Sequence, residues 1–235
     1  MTQIGSSAVD LFVEIVASLE SIETVNFILY EPTPPLAERS SIEPADLQVT
    51  FAGETKAIWI PSYELLYARH LLHGGVPHDL LDRAAEHHSH SATRLRRCLP
   101  REQVSHDAIR ELQAVRPGWA VAVASSVRTA DGERHIPMVD FQCPVGDLYR
   151  DVLLAGLTRI GCRGALLESG ASYHFYGREL LTRDEWRKFI GYTLLLSPFV
   201  DTRYVGHRLI DGESVLRIEP HPTKPVMPRV VALVR

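Results

Sequence analysis

Apolar and polar positions recur along this chain with two periods, one typical of helices and one typical of strands. Apolar residues at helical spacing predict amphipathic helices at residues 9–19, 61–72, 104–115, 145–160 and 182–196. Short apolar or alternating runs predict strands at residues 25–30, 47–51, 57–60, 119–127, 134–141, 165–168, 173–176, 204–210, 214–218 and 229–234. The polar segment 78–99 is also predicted to be helical.

The order of these elements predicts the α+β fold class. From residue 119 onward the order is strand, strand, helix, strand, strand, helix and strands, which is typical of a mixed sheet with helices on one face. The preceding half supplies a second α/β layer. We therefore predict an N-terminal α/β module at residues 1–117 and a core at residues 118–235, packed together as one unit.

Composition narrows the classes of function. The 235 residues have a formal net charge of −4, which argues against a strongly cationic protein that binds DNA non-specifically. The three cysteines have no CxxC spacing, and the sequence shows no export signal and no apolar run of membrane-spanning length. These features predict a cytoplasmic protein with no membrane partner.

A histidine-rich stretch is the first candidate for metal chemistry. His87 and His90 have the spacing of two ligands on one helix face, and His88 lies between them. No cysteine or carboxylate completes a familiar zinc pattern, so a solvated helix face is favoured over a zinc site.

Four polar features of the second half follow one another at strand ends and in loops. Asp140 ends one predicted strand, and Asp201 follows the helix that ends near Pro198. Acids from two different strands can hold a divalent cation through oxygen ligands. Side chains that suit phosphate oxygens lie on the strands and the loop around them, namely Ser172, His174, Arg217 and Lys224. The pattern predicts a site for a metal and a nucleoside triphosphate.

The order of these motifs resembles the archaeo-eukaryotic primase superfamily, the primase-polymerases. Its three motifs are a strand with Asp-x-Asp, a Ser-x-His and an apolar residue followed by Asp, which fall here on residues 139–142, 172–174 and 200–201. Arg217, His221 and Lys224 resemble a shortened form of the basic loop that follows. The resemblance covers roughly residues 134–224.

The resemblance implies a fold, an activity and a set of site residues. The fold would be an RRM-like sheet joined to an N-terminal α/β module, and the activity a metal-dependent, template-directed nucleotidyltransferase. Asp140 and Asp201 would hold Mg²⁺ or Mn²⁺ and would be catalytic together with His174. The triphosphate would be bound by Ser172, His174, Arg217 and Lys224.

One position departs from the family pattern. Gln142 stands where the family has the second acid of Asp-x-Asp, and an amide oxygen brings no charge to a cation. Two-metal phosphoryl transfer depends on that charge, so we expect one metal site to be weakened. Glu168 or Glu219 could substitute as a carboxylate, but the sequence places neither.

Three hypotheses for function follow. The favoured one is a primase-polymerase-like protein that binds nucleotide, nucleic acid or both, with weakened or lost polymerising activity, in a regulatory or defence-type role. The first alternative is an active primase or polymerase, so whether the protein is an enzyme stays open. The second is a protein-interaction scaffold. DNA or RNA and further proteins are the expected partners in addition to the triphosphate.

Four of the site residues also have a purely structural interpretation. Asp140 could cap the helix that begins after Pro144, and Asp201 could cap a turn after Pro198. His174 could be a core histidine on an aromatic strand. Arg217 could lie on a solvated strand face.

Overall fold

The computed structural model describes residues 3–32, 45–51, 54–60, 67, 70–75 and 94–235. Its helices are α1 (Ala8–Ser18), α2 (His106–Val115), α3 (Asp147–Arg159), α4 (Arg183–Thr193) and α5 (Thr202–Asp211). Its strands are β1 (Ile22–Tyr30), β2 (Ala45–Phe51), β3 (Glu54–Ile60), β4 (Arg94–Pro100), β5 (Ala120–Thr129), β6 (Gly132–His135), β7 (Met138–Asp140), β8 (Gly164–Glu168), β9 (Tyr173–Gly177), β10 (Val215–Arg217) and β11 (Arg229–Val234).

The chain divides into two compact units. One contains Met1–Pro32 together with His90–Arg235, and the other contains Thr33–Ser89. In the smaller unit β2 and β3 pair antiparallel, which confirms the predicted hairpin strands, and residues 70–73 are helical. The histidine-rich stretch with His87, His88 and His90 lies outside the described residues.

Two antiparallel sheets form the larger unit. The first has the strand order β10-β5-β1-β4, and β6 also pairs with β5. The second has the order β11-β8-β9-β7. This arrangement with its helices confirms the α+β class. Strands from both sides of residue 117 pair in the first sheet, and the division into modules 1–117 and 118–235 stays a prediction.

The segment predicted as one strand at residues 134–141 is two strands in different sheets. β6 pairs with β5, whereas β7 pairs with β9. Pro137 lies at the change, since the N–H of Ile136 donates to the Ser125 carbonyl in the first sheet and the Pro137 carbonyl accepts from Gly177 in the second. Proline has no N–H to continue a ladder, so it suits the point where the chain passes between sheets.

Two further predictions of secondary structure were wrong. Residues 94–99 were predicted as the end of a helix, but they belong to β4, which pairs with residues 24–30 of apolar β1. Residues 204–210 were predicted as a strand, but they belong to α5. Tyr204, Val205 and Arg208 are buried at helical spacing, and Gly212, at φ +80°, ends the helix in the left-handed region.

The capping box predicted before α4 is present. The Thr182 hydroxyl oxygen accepts from the N–H of Glu185 at 3.3 Å, and a Glu185 carboxylate oxygen accepts from the N–H of Thr182 at 2.8 Å. These bonds satisfy two N–H groups that the helix itself cannot. They orient α4, whose Trp186 and Ile190 are buried.

Thr182→Ala is expected to lower the free energy of unfolding by about 1 kcal/mol, because it removes the acceptor for the first turn of α4. Thr182→Ser keeps the hydroxyl and is expected to keep most of the stability. Urea unfolding of the three proteins measures the difference. Equal midpoints for the alanine and serine variants would contradict the assignment of the cap.

Among the helices that the structure describes, none combines the length and the apolar character needed to cross a membrane.

Candidate functional site

Strands β7 and β9 bring two of the predicted site residues into direct contact. Asp140 lies opposite His174 in the ladder, and His174 Nε2 is 3.4 Å from Asp140 Oδ1. Burial, and then the nearby Arg217 and Lys224 cations, lower the pKa of His174 well below its usual range. His174 is therefore neutral near pH 7. The proton belongs on Nε2, which faces the carboxylate, and leaves Nδ1 as an acceptor.

The buried side of the His174 ring is unsatisfied. His174 is 4% exposed, and its Nδ1 has no hydrogen-bond partner among the described residues. A buried acceptor without a partner is unfavourable in a folded protein, and such groups concentrate at functional sites. His174 is thus a buried histidine, as its structural interpretation predicted, and also one with an unused polar atom.

Asp201 joins the row formed by these two residues. Phe141, next to Asp140, forms an isolated antiparallel bridge with Val200, next to Asp201. In antiparallel pairing, the residue before one partner lies opposite the residue after the other, which puts Asp140 opposite Asp201. Directly opposed positions have Cα atoms about 4.5–5.5 Å apart and side chains on the same face. By backbone register, His174, Asp140 and Asp201 therefore occupy consecutive positions of one row.

The Asp201 carboxylate also caps α5. Its Oδ1 accepts from the N–H groups of Arg203 and Tyr204 at 3.0 and 3.1 Å. The predicted capping role of Asp201 is thus real, although it serves a helix and not only a turn. The corresponding interpretation of Asp140 is excluded for α3, whose N-cap is Gly146 without any side-chain cap.

Gln142 contacts the segment that carries Asp201. Its side-chain Nε2 donates to the carbonyl oxygens of Pro198 and Val200 at 3.0 and 3.1 Å. Its backbone N–H donates to the Phe199 carbonyl at 2.8 Å. Both side-chain partners are acceptors, so the NH₂ group must face them. This role was missed at the sequence level, where Gln142 is visible only as a missing acid.

Neither of the acids proposed as a substitute lies in the row. Glu168 pairs with Tyr173, one position from His174, and neighbouring residues of a strand project to opposite faces. Burial raises the pKa of Glu219, and Arg110, His106 and Arg217 lower it by a smaller amount. Glu219 is thus near α2, which carries two of those cationic or ionisable groups.

Ser172 ends the tight turn between β8 and β9. Ser169 N–H donates to the Ser172 carbonyl at 2.8 Å, and the two hydroxyl oxygens are 3.4 Å apart. Ser172 is two residues from His174, so both side chains project to the same face. Ser172 is half-buried.

Arg217 is buried and not on a solvated face, so that interpretation of it was wrong. It is 5% exposed, and its guanidinium donates to the carbonyl oxygens of Glu219, Val226 and Ser169 at 3.0, 2.9 and 2.7 Å. Its Nε has no partner among the described residues. Arg217 therefore fastens the loop after β10 to the turn before β9.

The loop that Arg217 holds carries the other basic residues. His221 and Lys224 exchange backbone hydrogen bonds at 3.2 and 2.9 Å, which closes a tight turn around Pro222. Burial, with smaller contributions from the Arg217 and Lys224 cations, lowers the pKa of His221 to about 4. Lys224 itself is exposed. Because Arg217 and Lys224 act on both histidines, they lie within electrostatic reach of the row.

Tyr30 is a residue near the row that the sequence did not indicate. Burial raises its pKa, Arg217 lowers it, and Asp140 raises it. Tyr30 therefore lies near both the acidic row and the buried guanidinium, although it belongs to the first sheet. No local motif marks it, since it is simply the last residue of an apolar strand.

A family model of the archaeo-eukaryotic primase 1D-like proteins matches residues 101–227, which is more than half of the chain. The chain belongs to the archaeo-eukaryotic primase 1D-like family. No curated protein and no solved structure is detectably similar to it. The matched segment of this primase-like protein contains the row, the turn of Ser172, the basic loop and Gln142.

Within this primase-like site, the described residues form no closed metal cage. No group of three or more His, Cys, Asp or Glu side chains in the described ranges is arranged to hold a metal ion. The row supplies two carboxylates and a neutral imidazole that contacts one of them. A cation at this row would need further oxygen ligands from a bound molecule, as Mg²⁺ has when it is bound to phosphates.

Proposed function

We propose that this primase-like protein binds a nucleoside triphosphate with a single divalent cation, beside bound DNA or RNA, and that its polymerising activity is weakened or lost. The observation that carries the proposal is the row of His174, Asp140 and Asp201. Two opposed carboxylates repel each other, and a cation between them removes that repulsion. Asp140 and Asp201 would hold Mg²⁺ or Mn²⁺, which prefer oxygen ligands.

The neighbouring donors suit the phosphates. Lys224 is exposed and cationic, and Ser172 offers a hydroxyl on the same face as His174. A bound cation would supply charge to neutralise the phosphate oxygens and orient them. Arg217 would act mainly by holding the loop of Lys224, because three of its N–H groups already donate to carbonyl oxygens.

Among the residues that the structure describes, no third carboxylate joins the row, and this favours binding over polymerisation. Two-metal transfer needs enough negative charge to keep two cations close together. Gln142 brings none, Glu168 lies opposite Tyr173 and so outside the row, and Glu219 lies near α2. This supports a regulatory or defence-type role with partner proteins, in which recognition of the nucleotide matters more than its turnover.

We also propose a cytoplasmic location. All three cysteines, Cys98, Cys143 and Cys162, are unpaired, as expected in a reducing compartment. Burial raises the pKa of the Cys143 and Cys162 thiols to about 12, so both are protonated and unreactive at neutral pH.

The proposal predicts that Mn²⁺ with ATP or a deoxynucleoside triphosphate raises the melting temperature. A ligand at about 100 times its Kd stabilises the folded state by about 2.7 kcal/mol. Asp140→Asn is expected to remove most of the shift, because it removes a cation ligand and its charge. Differential scanning fluorimetry with and without ligand measures this.

Asp151→Asn, an exposed carboxylate on α3, is the matched control and should keep the full shift. Equal shifts in wild type and Asp140→Asn would place the site elsewhere. Extension of a labelled primer by the wild type, abolished in Asp140→Asn, would favour an active polymerase. Absence of any ligand-dependent shift would favour the scaffold hypothesis.

A further inference from the structure

We propose that Gln142 is a positioning residue that holds Asp201 in place, and not the remnant of a metal ligand. The inference rests on the proposed function, because it concerns how the cation site is kept in shape. It assigns the amide a task that an acid at the same position could not perform.

The argument begins with the contacts of the Gln142 amide. Its Nε2 is 3.0 Å from the Pro198 oxygen and 3.1 Å from the Val200 oxygen, so one NH₂ group uses both of its hydrogens on one short segment. The backbone N–H of Gln142 binds Phe199 between them at 2.8 Å. Three donors of one residue thus hold three consecutive carbonyls.

Asp201 is the residue that directly follows this segment. The Phe141–Val200 bridge sets its place in the row, and the two α5 N–H groups set the direction of its Oδ1. A short 3-10 helix (Leu194–Leu196) and residues 197–200 connect α4 to Asp201, and in this stretch Val200 forms the bridge to Phe141. The Gln142 side chain adds two hydrogen bonds to the contacts that hold residues 198–200, which are the Phe141–Val200 bridge, the edge contact of the Phe199 and Tyr149 rings, and the buried Val200 side chain.

A carboxylate cannot replace the amide in this arrangement. An ionised Glu or Asp has only acceptors, and it would face two carbonyl oxygens. The hydrogen bonds would be lost, and the lone pairs would repel. An acid at this position must therefore either turn away or displace residues 198–200, which carry Asp201. The site is organised for one cation between Asp140 and Asp201.

The decisive experiment compares Gln142→Met and Gln142→Glu with the wild type. Both variants keep the length of the side chain and lose the donors, but only the glutamate adds a charge. Mn²⁺ binding in the presence of a nonhydrolysable triphosphate is measured by electron paramagnetic resonance. We expect both variants to bind Mn²⁺ about tenfold more weakly, which is the usual effect of removing a group that orients a metal ligand.

A remnant ligand would behave differently. If Gln142→Glu binds Mn²⁺ more tightly than the wild type, or binds two ions, the position is a ligand site and the proposal is wrong. If Gln142→Met binds as the wild type does, the amide positions nothing. Gln103→Met, at an exposed glutamine outside the cleft, is the control and should leave Mn²⁺ binding unchanged.

A second readout does not depend on the metal. The Arg203 and Tyr204 amides donate to Asp201, so their hydrogen exchange reports whether Asp201 stays in place. Exchange is expected to be faster in Gln142→Met and Gln142→Glu, and unchanged in Gln103→Met. Exchange as slow as in the wild type would refute the positioning role. If the wild type binds no Mn²⁺ but the variants exchange faster, the proposed function fails and the positioning of Asp201 stands.

Discussion

Replacing Arg217 by methionine is expected to lower the free energy of unfolding by about 3 kcal/mol or more. The guanidinium is buried and donates to the carbonyl oxygens of Ser169, Glu219 and Val226. Methionine fills a similar volume but donates to none of them, so one buried and two partly buried acceptors lose their partner. Removal of a buried cation offsets part of the loss, because burial of a charge is itself unfavourable.

Urea unfolding of the variant and the wild type tests this. Arg217→Lys keeps the charge but not the planar arrangement of donors, and it is expected to retain only part of the stability. Arg128→Met, at an exposed arginine on β5, is the matched control and should differ little from the wild type. A loss in Arg217→Met no larger than in Arg128→Met would show that the three bonds contribute nothing.

The same variant separates two roles for Arg217 in nucleotide binding. If Arg217 contacts phosphate directly, Arg217→Lys should lose affinity in proportion to the missing donors. If Arg217 acts by holding the loop of His221 and Lys224, the loss of nucleotide affinity in Arg217→Lys and Arg217→Met should increase with the loss of unfolding free energy in the same variants. Its burial and its three carbonyl partners favour the second role.

Acidification is expected to destabilise the protein as the pH falls from about 6.5 towards 4. Burial lowers the pKa of His135, His174 and His221, in the last case to about 4. Below the ordinary histidine value of about 6.5 the unfolded chain binds protons that the folded chain excludes. Stability is therefore full above that value and decreases as the pH falls, by about 1.4 kcal/mol for each unit of pKa difference.

His221→Gln is the informative variant, because glutamine keeps a polar side chain without a titrating group. Urea unfolding at a series of pH values should show a shallower loss of stability in this variant than in the wild type over the acidic range. Above neutral pH, the difference in unfolding free energy between the two proteins should no longer change with pH. Identical slopes would mean that the folded protein accepts the proton on His221 as readily as the unfolded chain does.

The sequence by itself determined the features that act over a few neighbouring residues. The capping box of Thr182 and Glu185 and the apolar spacing of α1 and α4 depend on contacts within one or two turns, and they were predicted correctly. The α+β class followed from the order of such elements. The motif residues Asp140, His174 and Asp201 could be singled out because each belongs to a short pattern that a linear sequence displays, and their functional roles stay a prediction.

The tertiary structure alone decided which strands pair and which polar side chains use their hydrogen bonds inside the protein. The division of residues 134–141 between two sheets depends on partners far along the chain, which local periodicity does not record. β4 is a strand because apolar β1 pairs with it, in spite of its polar sequence. The burial of Arg217 against three loop carbonyls and the contact of Gln142 with Pro198 and Val200 likewise involve residues distant in sequence. Hydrogen-bond partners of polar side chains are chosen by packing and register, so identical residue types can be ligands in one fold and internal supports in another.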